Sequence, residues 1–106
     1  GDVEMEFTFL YVTAKDKAEA RRISKHLLQK KLISCANIFP MESMYRWKGR
    51  IVERKEVVLI LKTMKNTVSL VQKEIEKMHS YKIPCIAEID VKVNEKYGGW
   101  LREQLC

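Results

Sequence analysis

Two long β-favouring runs, separated by little more than Lys48-Gly49, occupy the middle of the chain from Ile33 to Met64, and they limit its fold more than any other feature. The outgoing run carries β-prone residues through Phe39, meets Pro40 and resumes with Met44-Tyr45-Arg46-Trp47; the return run is Ile51 to Lys62. Two such runs around a short Gly-containing turn predict a β-hairpin. Each arm exceeds the usual strand of about five or six residues, so part of each must overhang an ordinary sheet. Pro40 has no N–H to give to a ladder and marks a bulge, a bend or a sheet edge. Tyr45 and Trp47 near the tip each bury more than about 100 Å² when covered, so a partner surface is expected there.

The flanks supply the remaining layers. Glu6 to Thr13 is aromatic and β-branched and predicts a strand. Asp16 followed by Glu19 forms a variant capping box, and Ala20, Ile23 and Leu27 recur at helical spacing up to Lys30-Lys31, predicting a helix over 17–31. Asn66 is the expected N-cap of a second helix, whose apolar stripe is Val68, Val71, Ile75 and Met78. Ala87, Ile89, Val91 and Val93 alternate with Glu88, Asp90 and Lys92, the pattern of a half-buried strand, with Cys85 expected at its start. A short tail helix carries Tyr97, Trp100, Leu101 and Leu105. The order β-α-β-β-α-β plus a terminal helix predicts an α+β, ferredoxin-like sandwich with both main helices on one face of an antiparallel sheet. At 106 residues, with no linker, repeat or low-complexity stretch, a single domain over 1–106 is expected.

Twenty Lys and Arg against fourteen Asp and Glu give a formal charge of +6, a balance that raises an anionic partner. The bases are spread along the chain, however, and the densest group, Arg21, Arg22, Lys25, Lys30 and Lys31, falls on one helix, where a solvated polar face is the simpler reading. Neither a nucleic acid nor a membrane partner is expected. The longest apolar run, Val57 to Leu61, is far short of the roughly 20 residues that span a bilayer, and Gly1-Asp2-Val3-Glu4 has no basic segment leading an apolar one. Three widely spaced cysteines, Cys35, Cys85 and Cys106, do not form a disulfide framework, and a reducing, cytoplasmic location is expected.

Catalytic chemistry finds little support. There are two histidines, of which His26 lies beside the apolar stripe of the first helix and suits packing or surface. No Gly-rich phosphate loop is present, and Glu53 and Glu56, three apart on a strand, face opposite sides. The return arm, Val57-Val58-Leu59-Ile60-Leu61-Lys62, has no aromatic residue for base stacking, which argues against an RNA-recognition motif on this topology. An enzyme is not expected. Metal chemistry remains: Cys35, His79 and Cys85 offer thiolate and imidazole donors suited to copper or zinc.

Ser34-Cys35-Ala36-Asn37, Tyr45-Arg46-Trp47-Lys48-Gly49, Glu56 ahead of Leu61-Lys62-Thr63, His79-Ser80-Tyr81, and then Tyr97 and Trp100 occur in an order that resembles the CutA divalent-cation tolerance proteins. The resemblance covers nearly the whole chain. It implies a homotrimer in which the long hairpin arms pair across subunits, as in the similar PII signalling proteins, and a role in tolerance to copper and other divalent cations, with Cu²⁺ as the implied ion. It places Cys35 at the family's motif cysteine, Glu56 and Lys62 at its charged strand positions, and His79 and Tyr81 in its turn. Two ligand readings follow. One is a metal site of Cys35, His79 and Cys85. The other is a PII-like cleft for a small anionic ligand, built from Lys62, Glu56 and Tyr81 together with His79; Tyr45, Trp47 and Trp100 serve the subunit interface in both. The chain departs from the family where Ser80, Lys82 and Cys85 replace the usual proline and acids, which favours a thiolate over a carboxylate site in that turn.

Overall fold

A computed structural model describes residues 6–105. The opening residues 1–5 and the third cysteine, Cys106, lie outside the described residues, and with them the reading of the N-terminus.

Strand β1 (Phe7–Ala14) leads to helix α1 (Lys17–Gln29), and the hairpin follows as β2 (Cys35–Trp47) and β3 (Arg50–Met64). Helix α2 (Val68–Met78), strand β4 (Ile86–Val91) and helix α3 (Glu95–Gln104) complete the chain. The sheet order is β2-β3-β1-β4 with antiparallel pairing throughout, the split βαβ arrangement expected from the element order.

The capping box at α1 forms in modified shape. Asp16 Oδ1 accepts the Glu19 N–H at 2.8 Å, but Glu19 answers by accepting the N–H of Lys15, one residue earlier than the usual box. The helix ends at Gln29, two residues before the expected boundary, because Lys31 turns to a left-handed φ of 57°. Asn66 does not cap α2. It sits inside a short 3₁₀ turn, Lys65–Thr67, and α2 begins after Thr67 without a side-chain cap. Cys85 lies just before β4, which starts at Ile86 and ends at Val91 rather than Val93.

The hairpin turns through Lys48 (φ 50°) and Gly49 (φ 76°), both left-handed, as a two-residue type I′ connection requires. Pairing continues without interruption through Pro40, which faces Val57; of the three possibilities its place is the sheet edge, since β2 has β3 as its one neighbour. β1 pairs with Val57 to Met64 alone, so the tip half of the hairpin, 41–56, extends beyond the sheet. The Cα radius of gyration is accordingly 14.9 Å, against about 13 Å for a compact chain of this length.

The alternation of side chains divides the sheet into two faces. Leu10, Val12, Ala14, Val57, Leu59 and Leu61 face α1 and α2 and build the core with Ile23, Leu27, Val71 and Ile75. The opposite face presents Phe9, Tyr11, Phe39, Ile60, Ala87 and Ile89, and α3 shelters one end of it. There Gly98 lets α3 approach Phe7, since a Cβ at that position would stand 3.0 Å from Phe7 Cε2. Elsewhere this face is open: Phe39 and Ile89 are exposed, so the inward side of the β4 alternation is uncovered in one copy. The open face continues along the overhang, where Met41, Tyr45, Val52 and Trp47 share its side, and Trp47 is 60% exposed.

Candidate functional site

At the base of the overhang the turn after α2 crosses to the sheet. His79 has both ring nitrogens engaged: Nε2–H donates to the Thr13 carbonyl at 2.7 Å, and Nδ1 accepts the Tyr81 N–H at 3.0 Å. A carbonyl only accepts and a backbone N–H only donates, so Nε2 is the donor and Nδ1 the acceptor of this ring. The Tyr81 hydroxyl donates to Glu56 Oε2 at 2.5 Å. Burial, and then that bond to a carboxylate, push the Tyr81 hydroxyl well above the usual phenol range. Arg54, two residues along the same face as Glu56, stands 5.7 Å from the centre of the Tyr81 ring, and its hydrogen bond to Tyr45 strengthens its hold on its proton.

A second cluster lies toward the other end of β3. Lys62 Nζ donates to the Tyr97 hydroxyl at 3.0 Å and lies 5.2 Å from the ring centres of both Phe9 and Tyr97. Among the described residues no carboxylate stands within 4 Å of this half-buried ammonium. Trp100 stacks on Tyr97 at 5.7 Å. Cys35 is the cross-strand partner of Lys62, on the same face, and its thiol is free and half-buried.

The residues singled out from sequence therefore fall into two groups. Glu56, Tyr81 and His79 come together. Lys62 and Cys35 come together six residues further along β3, about 20 Å away at the rise of a strand. Cys85 is exposed and precedes Ile86, the partner of Val12, which puts it at the level of Thr13, the residue His79 is bonded to. Among the described residues no three His, Cys, Asp or Glu side chains converge on one ion. Tyr45 and Trp47 occupy the overhang, whereas Trp100 lies at the opposite end of the open face.

The model of the family described as CutA1 divalent ion tolerance protein matches residues 8–104. The chain belongs to this family. A divalent-cation tolerance protein CutA of Archaeoglobus fulgidus is 42% identical over 96 residues, covering 90% of this chain and 94% of the relative. One from Thermococcus kodakarensis is 40% identical over 102 residues, covering 95% and 98%. Among solved structures, the divalent ion tolerance protein CutA1 of Ehrlichia chaffeensis superposes with a TM-score of 0.93 at 35% identity, covering 98% of this chain and 99% of that one.

In this CutA1 chain the turn that carries His79 and Tyr81 is braced by a residue that sequence patterning passes over. Glu19 is wholly buried; its Oε2 accepts the Ser80 N–H at 2.8 Å while Oε1 accepts the Lys15 N–H at 3.1 Å. Burial opposes its ionisation, but the Ser80 and Lys15 donors outweigh it and hold the carboxyl below its ordinary value. One carboxylate thus fixes both the start of α1 and the turn after α2. The available sequence signal was the capping box, which accounts for one of its oxygens.

Proposed function

We propose that the chain is a homotrimeric divalent-cation tolerance protein, without enzymatic activity, that binds copper-like ions at the junctions between its subunits. The supporting observation is the continuous apolar face from Ile89 through Phe39 to Trp47, uncovered in a single copy and extended by the overhang onto any neighbour. The described residues of one protomer do not gather a ligand set, so ligands from adjacent copies complete the site in this reading, with the free Cys35 thiol as the preferred donor and Cys85 as the second. His79 contributes only by surrendering one of its two hydrogen bonds. Isothermal calorimetry with Cu²⁺ and Zn²⁺ is expected to show binding by the wild type and at least tenfold weaker binding by Cys35→Ala; unchanged affinity in the variant would remove the cysteine from the site.

The uncompensated Lys62 ammonium supports a second reading, a PII-like cleft for a small anionic ligand. Its other members split: Glu56 and Tyr81 belong to the distant cluster, so a ligand touching all three must span subunits. Thermal shift with a panel of nucleotides and small carboxylates is expected to reveal a stabilising ligand whose effect disappears in Lys62→Ala. A panel with no shift, or one retained in the variant, rejects this reading.

A further inference from the structure

Folding gathers charge that looks dispersed in the sequence. The segments 15–31 and 68–78, which contain α1 and α2, carry nine of the bases and four of the acids; the remainder is nearly balanced, with eleven bases and ten acids. Both helices lie on the same side of the sheet, so five of the six net charges belong to the helix layer and its α1 flanks.

The acids of this layer are mostly consumed internally. Asp16 caps α1, and Glu19 is buried against backbone N–H groups. Glu74 is clamped by Lys30 at 3.0 Å and His26 at 3.1 Å, and these bonds, Lys30 first, bring its carboxyl down to about 2. Glu76 accepts from the neutral side-chain amide of Gln72. Among the described residues, Lys17, Arg21, Lys25, Lys73 and Lys77 have no carboxylate within 4 Å. Lys17, Arg21 and Lys25 are exposed at successive i,i+4 positions, an ordered row with a rise of about 6 Å per step.

We propose that the helix layer binds the phosphate backbone of duplex nucleic acid without sequence preference. Cations in a row, unneutralised by their own layer, match a regular line of phosphates. Neither α1 nor α2 contains a Phe, Tyr or Trp, and the one imidazole, His26, is bonded to Glu74, so there is no platform for stacking the bases of a single strand. A lipid surface fits less well, because the large exposed apolar residues of the two helices are Leu28 and Leu70, one on each, rather than an inserting stripe. The layer is opposite the open sheet face, so self-association through that face leaves it accessible.

Fluorescence anisotropy with two duplexes of unrelated sequence tests the proposal. Both are expected to bind equally, and about four phosphate contacts weaken binding roughly a hundredfold between about 50 and 200 mM salt. Arg21→Glu with Lys25→Glu is expected to cost at least tenfold, while Lys92→Glu with Lys96→Glu, an equal charge change outside the helix layer, leaves affinity within about threefold. Circular dichroism verifies that both variants fold. The proposal is overturned by no duplex binding at 50 mM salt, by equal losses in the two variants, or by binding confined to vesicles containing anionic lipid.

Discussion

Glu19→Ala is expected to destabilise the protein by about 1–4 kcal/mol, since it empties a buried carboxylate position and leaves the part-buried N–H groups of Lys15 and Ser80 without their acceptor, where a fully buried donor would cost about 1–3 kcal/mol each. Chemical denaturation measures the loss, and a difference below about 1 kcal/mol would show that water replaces the carboxylate. The effect extends to the site: once Ser80 is released, Tyr81 is expected to lose its fixed bond to Glu56, visible as a downfield-to-upfield shift of its hydroxyl or as faster amide exchange of Ser80 and Tyr81. The same carboxylate sets an acid limit. Its folded value lies below the ordinary 4.5, so its contribution is complete above pH 4.5 and is lost as the pH falls from there through the folded value. The stability gap between wild type and Glu19→Gln is therefore expected to close below pH 4.5.

The second large effect concerns assembly. Replacing residues 42–55 by Asn-Gly joins Met41 to Glu56, which face each other across the ladder just as Trp47 faces Arg50 around the native turn. The buried core lies outside the removed segment, so the sheet and helices are expected to fold. Tyr45 and Trp47 are lost with the overhang, and the proposed trimer with them. Light scattering is expected to report a trimer for the full chain and a monomer for the shortened one, and the wild type's melting temperature should rise with concentration while the variant's does not. A 12.5 kDa species at micromolar concentration of the wild type would contradict the proposed trimer.

The two largest consequences were unequally legible in the sequence. Local pattern carried the element order, because hydrophobic period and turn chemistry are written residue by residue; Lys48-Gly49 marked the hairpin reversal and the Ile51 to Lys62 run its return arm. The N-cap of α2 was misread because Asn66 has the right side chain, but the chain leaves β3 through a 3₁₀ turn whose bonds are made by Thr67 instead. The site was harder. Glu56 and Lys62, six apart on β3, share one face, yet a shared face is not a shared place, and the register separates them by most of the sheet. Glu19 was legible only as a cap, since its second role depends on a turn 61 residues away. Charge followed the same rule: the bases of α1 look like ordinary solvated residues, and the pairing of Glu74 with Lys30 and His26 joins positions 44 and 48 residues apart, which local pattern does not show.

The length of the hairpin also bears on the order of events in folding. β2 and β3 are consecutive and joined by two residues, so they can zip outward from Lys48-Gly49 with almost no loop to close, whereas β4 must find β1 across most of the chain. A hairpin that pairs by this local route presents its apolar side to another copy before the distant β1–β4 pairing closes. In the proposed trimer, subunit recognition and protomer folding draw on the same strands, and a slow step in one is a delay in the other.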